Sequence, residues 1–249
     1  MCTVVILRRP GHAWPVLIAA NRDEMAARSW SAPARHWPDR DNVVAGRDEE
    51  AGGTWLALND DGVCAAILNR PGSLGPAPGK RSRGELPLEA VDHAEARVAA
   101  EALAELEPSS YRSFNMIVAD AREAFWLKSD GDAMHMAPVP EGLSMITSND
   151  LNDTEHSERM RHHLPLFEAA AVPEPDTGDW TAWEERLAAR EDGPGADHSR
   201  AINIETDFGF ATVSSSLLAL PDLMRMGIRP IWRFCAGRPG TQPFEDVTL

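Results

Sequence analysis

The chain has 249 residues, 43% hydrophobic and 25% charged, the composition of a globular protein able to bury a sizeable core, which excludes disorder as its general state. Its 39 acidic residues outnumber its 24 basic ones and leave a net charge of -15, a field that repels phosphate backbones and anionic lipid surfaces. Nucleic-acid and membrane partners are therefore not expected. No apolar run reaches the roughly 18–20 residues of a spanning helix, and none resembles the apolar stretch of about 7–15 residues in a signal peptide, so the expected location is cytoplasmic, without membrane insertion.

In chain order, residues 3–7 and 16–20 are apolar runs separated by Pro10-Gly11 and Pro15, which reads as a first hairpin. Residues 54–58 and 63–68 flank Asn59-Asp60-Asp61-Gly62 and read as a second. The Pro/Gly-rich segment 71–80 predicts a loop, and the Ala/Glu/Leu-rich stretch 85–106 predicts a broken or kinked helix. Strands are predicted over 114–119, 124–128 and 143–147, then helices over 155–171 and 180–190. A Gly/Pro/acidic loop at 191–198 precedes closing strands at 211–220 and 231–235. Strands and helices fall in blocks rather than strict alternation, which favours a mainly antiparallel α+β sandwich in one domain spanning 1–249.

Three cysteines, Cys2, Cys64 and Cys235, form no C-x-x-C pair, so neither a disulfide framework nor a zinc knuckle is indicated. With an odd number, at least one thiol is free or paired between chains, which leaves a homo-oligomer open. His156, His162 and His163 fall on a helix predicted to be exposed, without a partner at a metal-binding interval, and no metal or resident cofactor is expected. Gly79-Lys80 fails as a phosphate loop because Leu74 stands where the leading glycine belongs.

Cys2 is the candidate nucleophile. Initiator methionine is generally removed before a small second residue, and Cys2 would then carry its own base: an α-amine has a pKa of about 7.7–8.0 and a thiol about 8.5. A turn centred near His12 brings Cys2 opposite a residue close to Arg22. A guanidinium about 4 Å from a thiolate is worth roughly 4 kcal/mol at an effective dielectric of 20, enough on this reading to close that gap. Asp23 would orient the α-ammonium. The second hairpin pairs Asn69 with Gly52-Gly53, placing its amide at a strand end where it can donate to a developing oxyanion; Asn149, at another strand end, is a second donor. Each has a plainer role: an ion network for Arg22, Asp23 and Glu24, turn capping for the asparagines. Trp14, Trp30 and Trp37 are expected near this site as an apolar lining.

Asn21-Arg22-Asp23-Glu24, with Met1-Cys2, Gly52-Gly53-Thr54-Trp55-Leu56, Arg83-Gly84-Glu85-Leu86, Phe114-Asn115-Met116-Ile117 and Ser148-Asn149, resembles the NRDE (Transport and Golgi Organization) family over about two-thirds of the chain. More remotely, the first 70 residues resemble cysteine N-terminal-nucleophile hydrolases of the penicillin V acylase and bile salt hydrolase type. That resemblance implies a four-layer αββα fold, Cys2 as nucleophile, Arg22 and Asp23 as its activators, and Asn69 and Asn149 as oxyanion donors. Two departures stand out: Arg22 and Asp23 are adjacent, so on a strand they point to opposite faces, and the late arginine of these families has no counterpart at Phe208-Gly209-Phe210-Ala211. Two functions stay open. One is an amidase or acyltransferase with a Cys2 acyl-enzyme acting on a small-molecule amide or thioester; the other is a non-catalytic carrier of a hydrophobic ligand, lipid or haem, with Cys2 as a haem thiolate.

Overall fold

A computed structural model describes residues 2–190 and 199–249. The predicted loop at 191–198 lies outside the described residues.

One sheet is built from β1 (Thr3–Arg8), β2 (Val16–Met25), β10 (Gly142–Ile146), β11 (Phe210–Leu220), β12 (Ile231–Cys235) and β13 (Phe244–Asp246), in the order β10-β1-β2-β11-β12-β13. The other runs β3 (Trp30–Ala34), β4 (Val43–Asp48), β5 (Leu56–Asn59), β6 (Cys64–Asn69), β7 (Phe114–Ala119), β8 (Ala124–Ser129) and β9 (Met134–Pro138) in chain order, and all pairings in both sheets are antiparallel. Helices α1 (Leu86–Ala90) and α2 (Ala96–Ala104) cover the second sheet; α3 (Glu158–Ala169) and α4 (Thr181–Ala188) cover the first. The result is the four-layer αββα sandwich.

Residue parity decides which layer each side chain enters. On β1 and β2 the even positions Val4, Ile6, Val16 and Ile18 pack between the sheets, whereas the odd positions Val5, Leu7, Leu17 and Ala19 pack under α3 and α4. Both faces of these central strands are covered, which is why they read as continuous apolar runs rather than alternating ones.

The predicted helix over 85–106 is two helices with a short 3-10 turn (Arg83–Glu85) before them. Four strands lacked a sequence signal. β3 carries Pro33 and is an edge strand, β9 is a half-exposed edge strand ending at Pro138, β13 is three residues long, and β4 ends in the polar Arg47-Asp48. The helix carrying the histidines is not exposed throughout: His163 is buried, its Nε2 donates to the Arg200 carbonyl at 2.9 Å, and burial holds its pKa down at about 4.

Candidate functional site

The β1–β2 ladder pairs Thr3 with Asn21 and Arg8 with Val16, so the same register carries Cys2 opposite Arg22. Parity sends Cys2 and Arg22 into the space between the sheets, and Asn21 and Asp23 to the helical side. Asn21 is a structural staple there: its Nδ2 donates to the carbonyls of Leu187 (3.0 Å) and Ile202 (2.9 Å), and its Oδ1 accepts from Ser215 Oγ at 2.6 Å. Asp23 is buried; its carboxylate accepts from Thr212 Oγ1 at 2.6 Å and meets Arg159 Nη1 of α3 at 3.5 Å. A β-bulge between Thr212 and Ser214 lets these two residues face opposite sides, Thr212 towards Asp23 and Ser214 beside Arg22.

The Cys2 sulfur lies against the peptide of Asp23, whose N–H donates to it at 3.4 Å and whose carbonyl accepts its S–H at 3.6 Å. Burial and the Asp23 carboxylate push the thiol pKa above its ordinary value, and Arg22 opposes this only weakly. Its guanidinium is engaged elsewhere, 3.9 Å from the centre of the Trp55 ring and 4.0 Å from Asp48 Oδ2. Arg22 Nη1 and Ser214 Oγ are buried without a protein partner, and both residues line a cavity of about 20 Å³ beside Cys2, the space of a single water.

Gly46 and Gly53 make this arrangement fit. A Cβ at Gly46 would overlap the Trp55 indole, so the missing side chain lets the ring lie flat beneath Arg22. A Cβ at Gly53 would overlap the Gly84 backbone, where Thr54 N donates to Gly84 O at 2.7 Å and ties β5 to the Arg83–Glu85 turn.

From Cys2 a cleft of about 500 Å³ opens towards that turn and the 71–80 loop. Its lining carries Glu24, Asp48 and Glu50 around Arg28, which lies 2.8 Å from Asp48 Oδ2 and 3.3 Å from Glu50 Oε2. Although burial raises Asp48, its hydrogen bond from Arg28 and those from the Ala51 and Glu50 amides hold it below the usual carboxylate range. The same lining carries Lys80, Arg83 and Arg112.

Asn69 lines this cleft with Cys2, at the end of β6 opposite Phe114, and its side-chain amide makes no hydrogen bond among the described residues. Asn149 is not part of the cleft lining. It sits just beyond β10, where Asn115 Nδ2 donates to its carbonyl at 2.7 Å and to that of Thr147 at 3.0 Å. Asn115 is the positioning residue that sequence reasoning passed over, because an asparagine inside an apolar strand carries no mark of its cross-sheet partners. Of the three tryptophans expected nearby, only Trp30 is: it lies edge-on to Trp55, with centroids 6.0 Å apart. Trp14 belongs to the core under α3 and α4, and Trp37 packs against the core under α1 and α2. Cys64 and Cys235 are buried, their thiols pushed up to about 12 and about 11 by burial.

A sequence profile of the family described as Transport and Golgi organisation 2 matches residues 1–177. The Transport and Golgi organization protein 2 homolog of Homo sapiens is 30% identical over 145 residues, covering 53% of this chain and 51% of that protein. The homolog of Mus musculus is 33% identical over 114 residues, covering 44% and 40%. The chain spans about half the length of these relatives or less. Among solved structures, the Caenorhabditis elegans ortholog of N-acylethanolamine-hydrolyzing acid amidase superposes with a TM-score of 0.57 at 12% identity, over 87% of this chain and 92% of that one. A mutant of the conjugated bile acid hydrolase from Clostridium perfringens superposes with a TM-score of 0.52 at 11% identity, over 100% and 97%. These likenesses show an N-terminal-nucleophile hydrolase fold. No helix among the described residues is long and apolar enough to cross a membrane.

Proposed function

The chain belongs to the Transport and Golgi organisation 2 family, and from that membership, its fold and its cleft we propose that it is a cysteine amidohydrolase or acyltransferase acting on an amide or thioester through an acyl-enzyme on Cys2. The observation that carries this reading is the Cys2 sulfur, hydrogen-bonded to the Asp23 peptide at the inner end of a cleft that it shares with the unengaged amide of Asn69. The structural neighbours include proteins named as an acid amidase and a bile acid hydrolase.

In the proposed reaction, removal of Met1 gives Cys2 an α-amine, the base that the raised thiol pKa requires and Arg22 does not replace. The amine takes the thiol proton as sulfur attacks the acyl carbon. The carbonyl oxygen becomes an oxyanion that the Asn69 amide receives. The proton passes to the leaving amine or thiol as the C–N or C–S bond breaks, and water then releases the acid or an amine accepts the acyl group. Arg22 and Asp23 act from opposite faces of β2: the guanidinium favours negative charge on sulfur, and the carboxylate favours a nearby ammonium.

Intact mass spectrometry tests both requirements. The purified protein is expected to lack Met1 and to gain an acyl adduct from activated esters or thioesters, lost in Cys2→Ala and Cys2→Ser. Fully retained Met1 with no adduct overturns the proposal; a hydrophobic ligand such as lipid or haem that stays bound in Cys2→Ala would instead support a carrier.

A further inference from the structure

The protein carries a net charge of -15, and among the described residues two of the five cations lining the cleft have carboxylate partners, Arg28 with Asp48 and Glu50 and Arg81 with Glu85 and Glu89. Lys80, Arg83 and Arg112 do not. Among the described residues none of them lies within ion-pair distance of a carboxylate, and each is fixed by neutral acceptors. Lys80 Nζ donates to the Ser109 carbonyl, and Arg112 Nη1 to the Leu74 carbonyl at 2.7 Å. Arg83 Nη1 donates to Ser73 Oγ at 2.8 Å and to the Ser113 carbonyl at 2.9 Å, which leaves its Nε and Nη2 without a partner.

Holding a half-buried guanidinium without a counter-charge is costly. Burial and repulsion from Arg112 bring Arg83 down to about 10, and the charges of Cys2 and Glu24 act in the opposite sense without reaching ion-pair distance, which places this cation within electrostatic reach of the sulfur. An anion seated here would offset both the burial and the repulsion. Glu24, Asp48 and Glu50 of the same lining repel that anion, so charges of both signs share the cleft.

We propose that Lys80, Arg83 and Arg112 form a subsite for an anionic group, a carboxylate or a phosphate, on the molecule that enters the Cys2 cleft. For its link to catalysis the subsite rests on the cleft being the reaction site; binding of the anion itself needs no nucleophile. Arginine donors in a fixed fork suit either oxyanion, and the approximately 500 Å³ cleft leaves room for the remainder of a small molecule towards Cys2.

Alkylation of Cys2 in the full-length protein, followed by intact mass, tests this with an anionic and a neutral reagent. Iodoacetate should react faster relative to iodoacetamide than it does with free cysteine at the same pH. Inorganic phosphate and acetate are then added as competitors, and the one that suppresses this preference at the lower concentration identifies the group. Lys80→Gln and Arg83→Gln should each lower the iodoacetate-to-iodoacetamide ratio by roughly tenfold, the effect of one lost charge-assisted hydrogen bond. Because Arg83 also ties Ser73 to Ser113, the exposed Lys80 provides the variant that leaves the fold alone. In Cys2→Ala, titration of the same anions against intrinsic tryptophan fluorescence should still saturate. Anion binding without acyl adducts would sink the nucleophile and leave the subsite. A parent ratio equal to that of free cysteine and unchanged in either variant, with no saturation in Cys2→Ala, overturns the subsite.

Discussion

Replacing Asn115 by alanine should cost about 3 kcal/mol of folding stability, because this one buried amide joins the two sheets where they meet the cleft. Its Nδ2 donates to the carbonyls of Thr147 and Asn149 beyond β10, while its Oδ1 accepts from Arg70 Nη1 at 2.8 Å and Trp126 Nε1 at 3.2 Å. Arg70 retains Asp150 at 2.7 Å after truncation, so the loss falls on the two carbonyls and the indole. At roughly 1 kcal/mol for each group left unpaired, the low end of the usual range, the sum is about 3 kcal/mol, a large part of the roughly 5–15 kcal/mol that holds a domain together. With an m-value of about 3 kcal/mol/M, urea unfolding followed by tryptophan fluorescence should show a midpoint about 1 M lower at unchanged m. Asn115→Asp, which keeps the shape and the acceptor but loses both donors, should also be destabilised, whereas Asn69→Ala, with no hydrogen bond to lose, should not. A midpoint within about 0.2 M of the parent for Asn115→Ala would refute the claim that this amide joins the sheets.

Gly46→Ala should drive the Trp55 ring off Arg22 and destabilise the fold by about 1–3 kcal/mol, seen as a shifted tryptophan emission and a lower melting temperature. His163 has a folded pKa of about 4 against an ordinary value of 6.5, so the unfolded chain takes up its proton first as pH falls. The stabilisation this histidine contributes is complete above pH 6.5 and is lost between 6.5 and about 4, by about 3 kcal/mol; in His163→Gln that part of the pH-stability slope should vanish. Arg159→Leu withdraws a cation from the buried Asp23 carboxylate and should cost about 3–5 kcal/mol in urea unfolding. Iodoacetamide at pH 8 should label Cys2 in the native protein and reach Cys64 and Cys235 only after denaturation; native labelling of either would contradict their burial.

Much of this geometry was legible in local pattern. A tight turn near His12 is enough to set Cys2 against Arg22, and the strand period alone separates Arg22 from Asp23. What was not legible depends on contacts distant in sequence. The strength of Arg22 as an activator could not be judged without knowing that Trp55 and Asp48 occupy it. β3 and β4 became strands because β5 offers a ladder and an intersheet core, not because their residues demand it. The basic lining takes Lys80 and Arg83 from before α1 and Arg112 from beyond α2, so their proximity leaves no local mark in the sequence.

The bulge in β11 has a consequence for how the thiol can be controlled. By turning Thr212 and Ser214 to opposite sides, it leaves Asp23 in contact with α3 while Arg22 faces the small cavity beside Cys2, so the sheet works as a partition with the sulfur bonded to its edge. The Arg22 guanidinium, at that small cavity, and the Asp23 carboxylate, whose side chain is fully buried, lie on opposite sides of the partition. Any change in how α3 packs, through Arg159, alters the charge behind the sulfur without altering the shape of the cleft in front of it. In the proposed reaction, selectivity and reactivity would be set from two separate compartments, so that substitutions on the far side of the sheet tune one while sparing the other.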